Sequence, residues 1–383
     1  MNKYKLTSLL PLLTLKVICG FIIVSCNNYD ERVSTNAKII DAPMKQQIRT
    51  DVLDLNQLYK EVKIVVLGGS EGRELIGAIR DIKTVDNYLF INDGNAIHLY
   101  DMDGFPLSVI DRRGRGHGEY LTLSCFDIDK ESKRIIIYDS TKRKMLYYSY
   151  DGFFLKEIDC NEGFLISDFE VINKGEYIFY YSQYDDIGPK GLWLADSNCV
   201  YKKQLINYDE SCTLSYTKEN YLVQINDHSI GFMGGEGNNI FYSINGDSVE
   251  ETYQVRSDIR IPQRLLRKEK LSDRQRMKLF IKDGYFETEN TLFFDMINGE
   301  GNGYTIIYDK FSDRMYRIYD DNDIVVTGDA NIVPHFQFCD CGKLIGFYTS
   351  STIMKYEILK ERFPEINENS NPVVFLVSTQ PVE

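Results

Sequence analysis

From about residue 58 onward, short apolar runs alternate with turn residues. LYKEVKIVVL (58–67) places Val62, Ile64 and Val66 at period two, as a half-buried strand requires. The turns then repeat. HLYDMDGFPL (98–107) and YYSYDGFFL (147–155) align through Gly104 and Gly152, 48 residues apart. LWLADSNCVYKKQL (192–205) puts Asn198 46 residues further on, and FYSINGDSV (241–249) puts Gly246 48 beyond that. Asp-Gly and Asn-Gly between apolar alternations signal hairpins, because a primed turn needs positive φ. Ahead of three of these turns lies another strand pair: DIKTVDNYLFIND (81–93), FDIDKESKRIIIYD (126–139) and DFEVINKGEYIFYY (168–181). Each unit therefore predicts four short strands in about 48 residues, the period and content of a propeller blade.

The next turn, in IIYDKFSDRMYRIY (306–319), comes 18 residues late. QRLLRKEKLSDRQRMKLFIK (263–282) accounts for the excess: it is charged, glycine-free and apolar at helical spacing, and predicts an inserted amphipathic helix or helix pair within about 261–282. It holds four Arg and four Lys against one Glu and one Asp, a docking surface or lid, or else a solvated face. A last unit, HFQFCDCGKLIGFYTSS (335–351), precedes a polar helical piece and NPVVFLVS (371–378). Less the insertion, the patterned region holds about six periods. The expected fold is all-β: a six-bladed β-propeller of four-stranded blades over 58–383, with strands near 62–67 and 371–378 sharing one blade and closing the ring.

Composition agrees. The 27 Tyr and 21 Phe favour pleated, half-buried surfaces, and 43% hydrophobic residues suffice for a large core. A net charge of −13 argues against nucleic acid as a partner.

The amino terminus reads as an address. Lys3, Lys5 and Lys16 are the only charges before residue 26, and VICGFIIVS (17–25) is too short to span a bilayer. Ile23-Val24-Ser25-Cys26 resembles the lipobox of bacterial lipoproteins. The resemblance implies cleavage after residue 25 and acylation of Cys26 (palmitate among the acyl groups), and Asn27 in place of an aspartate after it points to the outer membrane, on its periplasmic or cell-surface side. The stretch that follows, polar and without regular pattern, reads as a tether, over 26–57.

Between the first two blades lies RRGRGHGEY (112–120). Strand, not helix, follows it, so neither a Walker loop nor a Rossmann turn fits. ELIGAI (74–79), IKTVDNYLFIND, YDMDG and RGRGHGEY together resemble the six-bladed β-propeller lipoproteins related to NHL-repeat proteins. Their G-x-G-P-G-E-Y run reads here as Gly114, Gly116, Gly118, Glu119 and Tyr120, with His117 at the usual proline.

Chemical candidates are few. His117 and Glu119 lack a third orienting group, so no catalytic residues are assigned; Glu119 and the arginines are expected to pin the turn. His335, Cys339 and Cys341 lack the knuckle spacing of structural zinc, so no metal site is assigned. Beyond Cys26, Cys125, Cys160, Cys199, Cys212, Cys339 and Cys341 show no readable pairing. Asp81, Asp127 and Asp168 recur near the start of successive inner strands. They are candidates to hold a basic ligand or Ca²⁺ on the axis, or to bond turn backbone. Three function classes stay open. The first is a lipid-anchored scaffold binding a peptide, glycan or protein, the second a metal-assisted hydrolase or lyase in the channel, and the third a sensor or assembly partner of a membrane complex.

Overall fold

The computed structural model describes residues 36–42, 55–69, 74–160, 165–172, 175–181, 190–207, 221–233, 240–257, 282–297, 303–319, 324–327 and 331–382. The signal segment, Cys26, Cys212 and the expected insertion up to residue 281 lie outside these.

Numbered along the chain, β1 (Lys38–Ala42), a helical turn α1 (Leu55–Leu58) and β2 (Tyr59–Val66) come first. Five four-stranded antiparallel blades follow: β3–β6 (81–110), β7–β10 (125–159), β11–β14 (168–206), β15–β18 (222–257) and β19–β22 (282–319). A hairpin, β23 (Ile324–Thr327) with β24 (Asn331–Pro334), precedes the last blade. That blade runs outward from β25 (Phe336–Asp340) through β26 (Lys343–Tyr348) and β27 (Val373–Thr379) to β2. The sixth sheet thus joins the two ends of the patterned region, in register from Tyr59↔Thr379 to Val66↔Val373. Ring closure by terminal strands is as the apolar pattern predicts. The polar helical piece is α2 (Ser350–Lys355) and α3 (Glu357–Arg362), which bury Ile353 and Leu359 against β27. Among the described residues no helix is long and apolar enough to cross a membrane.

The core is a set of interfaces between neighbouring blades. Phe90 and Leu99 of the first blade pack on Ile135, Ile137 and Leu146 of the second. Ile136 and Tyr147, on the other face of that second sheet, pack on Phe169 and Tyr177 of the third. A sheet covered on both faces needs continuous apolar strands, which is why RIIIYD (β8, Arg134–Asp139) is buried from its second residue to its last. Outermost strands have no such cover, and β10 (Phe154–Asp159) shows only exposed and half-buried positions.

Two sequence expectations change. The third repeat's left-handed residue is Cys199, φ 62°, not Asn198; it takes the place of Gly104, Gly152 and Gly246, at 85°, 78° and 59°. The stretch read as tether also contributes a strand: β1 adds in parallel to β18 (Ser248–Ser257), pairing Lys38 with Tyr253 through Ala42 with Ser257. Asp41 fixes it by a bidentate pair with Arg256, at 2.6 and 2.9 Å. Periodicity missed it because an edge strand in parallel register needs few apolar side chains.

Candidate functional site

Innermost strands are edge strands, so their channel-side N–H groups need partners from outside their own sheets. Carboxylates from the preceding blade supply them. Asp127 on β7 (Cys125–Asp129) accepts from the Val171 N–H of β11 (Asp168–Ile172) at 2.6 Å. Asp168 accepts from the N–H groups of Tyr221 and Leu222, entering blade four, at 3.1 and 3.2 Å. Asp340 accepts from the Thr84 N–H of β3 (Asp81–Val85) at 2.6 Å, tying the last blade to the first. Among the described residues Asp81 bonds only locally, to the Ile82 N–H at 2.8 Å.

The structure brings Asp81, Asp127 and Asp168 together, but in unequal registers. Asp81 and Asp168 open their strands, where the second blade has Cys125. Asp127 sits third, level with Lys83 and Glu170. Those two residues, with Asp340, were not singled out in the sequence. A lone lysine in the apolar run DIKTV was the one available signal. Lys83 Nζ lies 3.3 Å from Asp127 and 2.5 Å from Glu170, all three buried. Burial alone would pull the Lys83 pKa down, but Asp127, Glu170, Asp340 and Asp81 outweigh it and hold the ammonium well above its ordinary value. Burial likewise raises Asp168 and Asp340. Asp81 is pushed up to about 7, first by burial and then by Asp168 and Asp340, against the pull of Lys83.

A proton held by Asp81 couples stability to pH. Its folded pKa is raised, so its contribution is complete below about pH 4 and is lost as pH rises through about 7. Asp81→Asn, which keeps an acceptor for the Ile82 N–H, should match the parent protein near pH 4, where the carboxyl is protonated in both states. By pH 8 it should be more stable by about 1–2 kcal/mol, the half-buried position discounting the full shift. Urea unfolding at the two pH values checks this; equal differences at both would exclude Asp81 as the titrating group.

Strand direction alternates within a blade, so the first-to-second and third-to-fourth turns share one face. On that face opens a cavity of about 730 Å³. Residues at or beside the inner hairpins of all six blades line it, among them Asp86, Glu131, Ile172, Asp227, Glu289 and Cys341, and Lys83, Asp127 and Asp340 are in its wall. Acidic groups outnumber basic ones at the mouth: Asp86, Asp129, Glu131, Asp227 and Glu289 against Lys60, Lys130 and Lys343. Lys130 is already paired with Asp227. The other oxygen of Asp340, Oδ1, is buried and has no hydrogen-bond partner among the described residues.

The Gly-rich run RRGRGHGEY (112–120) lies between β6 (Pro106–Ile110) and β7, linking blades, and its geometry is that of a pinned turn. Glu119 accepts from the Gly116 N–H at 2.8 Å, and a Cβ on Gly114 would stand 2.0 Å from that carboxylate. Gly118, φ 69°, packs where a Cβ would meet the Phe154 ring. The Tyr120 hydroxyl donates towards Ile110 O and Asn95 O, and Lys142 bonds the carbonyls of Gly116 and Glu119. His117 is largely exposed and leans on Phe154 and Glu157 rather than on Glu119. The thiol of Cys339 faces Glu287 O while that of Cys341 faces Gln224, so the two do not share a partner. No group of three His, Cys, Asp or Glu among the described residues is placed to hold a metal.

Residues 38–378 match the profile of DUF4934, a domain of unknown function. The chain belongs to the DUF4934 family. The matched span starts at β1 and ends within β27, so for this DUF4934 chain it takes in the edge strand as well as the ring. The DUF4934 fold also resembles solved structures. A Bacteroides fragilis protein designated as exported aligns with TM-score 0.71 at 20% identity, over 90% of this chain and all of that one. A DUF4221 member from Bacteroides vulgatus aligns with TM-score 0.45 at 12% identity, over 85% and 98%. For the Bacteroides fragilis protein, at 20% identity, the likeness is one of fold. None of the curated proteins matches the sequence.

Proposed function

We propose that this DUF4934 protein is an exported, lipid-anchored binding propeller that takes an amine-bearing ligand, such as a basic peptide segment, into its axial cavity. The observation that carries the reading is Asp340, a residue of the cavity wall whose buried Oδ1 has no hydrogen-bond partner among the described residues. A buried carboxylate oxygen without a donor costs free energy that an incoming N–H would recover. The acidic mouth would steer a cation towards it. The anchor is assigned to Cys26 on the lipobox pattern, at the outer membrane.

Asp81, Asp127 and Asp168 then serve as the axial frame rather than as direct ligands. Both Asp127 oxygens are engaged, by Lys83 and by Val171, and Asp168 is committed to backbone N–H groups. Calcium at this point would have to displace the Lys83 ammonium, which already supplies the positive charge.

Titration of residues 27–383 with tri-lysine tests the proposal. Saturable, salt-sensitive binding is expected, weakened at least ten-fold by Asp340→Asn, which keeps an oxygen for Thr84. Absence of binding, or an unchanged affinity in the variant, would overturn it.

A further inference from the structure

Among the described residues, the outer turns carry large apolar side chains that stay exposed. Phe105, Phe153 and Phe311 are 65%, 66% and 79% exposed, and Val200 in the corresponding turn is 52% exposed. Phe105, Phe153 and Val200 each follow the left-handed residue of the third-to-fourth strand turn in blades one, two and three, and Phe311 lies two residues before its counterpart, Asp313, in that turn of blade five. Leu107 and Leu155, two residues beyond the first two phenylalanines, are about half exposed as well. By the alternation of strand direction, these tips ring the perimeter of the same face on which the acidic cavity opens. Single exposed apolar residues are ordinary; the same exposed position repeated in three consecutive blades, with Phe311 in the matching turn of a fourth, is not.

The chain itself says where the anchor enters. β1 is parallel to β18, and β18 runs away from the turn at Gly246, so the segment before Lys38 approaches from the cavity face. Lys38 confirms the place: its Nζ lies 3.1 Å from Asp313, two residues from Phe311 in the same turn. Twelve residues separate Cys26 from Lys38, a reach of at most about 40 Å. The tether therefore starts beside one of the exposed phenylalanines, on the face that carries them all.

From this we propose that the cavity face rests on the bilayer, with Phe105, Phe153, Val200 and Phe311 seated in the headgroup region. The inference relies on the assignment of Cys26 as the lipid anchor. Each apolar tip that leaves water adds a gain that is small alone but additive once the anchor holds the protein at the surface. The mouth's acids, Asp86, Glu131 and Glu289 among them, oppose an anionic surface and complement ammonium-bearing headgroups. The occupant is thus a bilayer rich in phosphatidylethanolamine. An amine-bearing ligand would then reach the cavity from the membrane side.

The test uses full-length protein purified from cell envelopes and reconstituted into phosphatidylethanolamine vesicles with brominated acyl chains. Two tryptophan reporters are compared in a Trp193→Phe background. Phe153→Trp is on the proposed contact face, on a blade remote from β1. Leu121→Trp is on the loop linking blades one and two, at the opposite face. The expected result is a blue-shifted emission for Phe153→Trp and quenching at least three-fold greater than for Leu121→Trp, reduced when phosphatidylglycerol replaces phosphatidylethanolamine. Intact mass reports acylation of Cys26 separately. An acylated protein with equal quenching at the two sites, stronger quenching at Leu121→Trp, or none at either overturns the orientation and leaves the anchor standing. Such a result would point to a protein partner on the phenylalanine ring. An unmodified Cys26 overturns the anchor and this proposal with it.

Discussion

Lys83→Met is expected to destabilise the fold by about 3–5 kcal/mol at pH 8, the usual cost of leaving a buried charge without its counter-ion. The variant strands Asp127 and Glu170, both buried, where their positive partner stood. Methionine fills similar volume, so the loss reads charge rather than packing. The deficit should shrink towards pH 5, because burial, first of all, raises the Glu170 carboxyl and a neutral Glu170 no longer needs the ammonium. Adding Asp127→Asn and Glu170→Gln should recover most of it at pH 8, by removing the uncompensated charges together. Urea midpoints at the two pH values decide the matter. A deficit that does not change with pH would mean that Lys83 acts through its methylene stem alone.

Gly104→Ala should cost about 3 kcal/mol or more, whereas Gly246→Ala, at the same place in the repeat, should cost about 1 kcal/mol. Both glycines have positive φ, which an alanine tolerates at about 1–2 kcal/mol. The difference lies in what surrounds them. A Cβ on Gly104 would stand 2.0 Å from the carbonyl oxygen of Val66, whereas one on Gly246 would meet nothing within 4 Å. Val66 ends β2, the strand that closes the ring, and the Gly68 N–H donates to Gly104 O at 2.8 Å just beyond it. The alanine would therefore push the closing strand off the first blade as well as strain its own turn. Thermal unfolding of the two variants side by side checks this. Equal losses would show that dihedral strain alone matters at this turn.

The blades were legible because each is local. Hairpin turns, β-rich runs and a period of about 48 residues lie within single stretches of chain, and the surplus of the fifth unit showed where the period breaks. Ring closure was legible too, since two apolar strands were left over at opposite ends. The axial cluster was not. Thr84 meets Asp340 across 256 positions and Lys83 meets Glu170 across 87, and pairs so far apart leave no pattern in either neighbourhood. Spacing between acids even suggested a false equivalence, since Asp127 occupies the register of Lys83 rather than that of Asp81.

By itself, then, the sequence determined the number of blades, the chemistry of their turns and the strand pairing that seals the ring, because strand period and turn dihedrals are set by neighbouring residues. Tertiary structure decided which carboxylates face a lysine, which cap a neighbouring blade, and which oxygen is left without a donor. It also decided that the edge strand, the acidic mouth and the exposed phenylalanines share one face. Those outcomes depend on how six sheets converge on an axis, where burial sets the cost of each charge and only the closed ring brings its partners within reach.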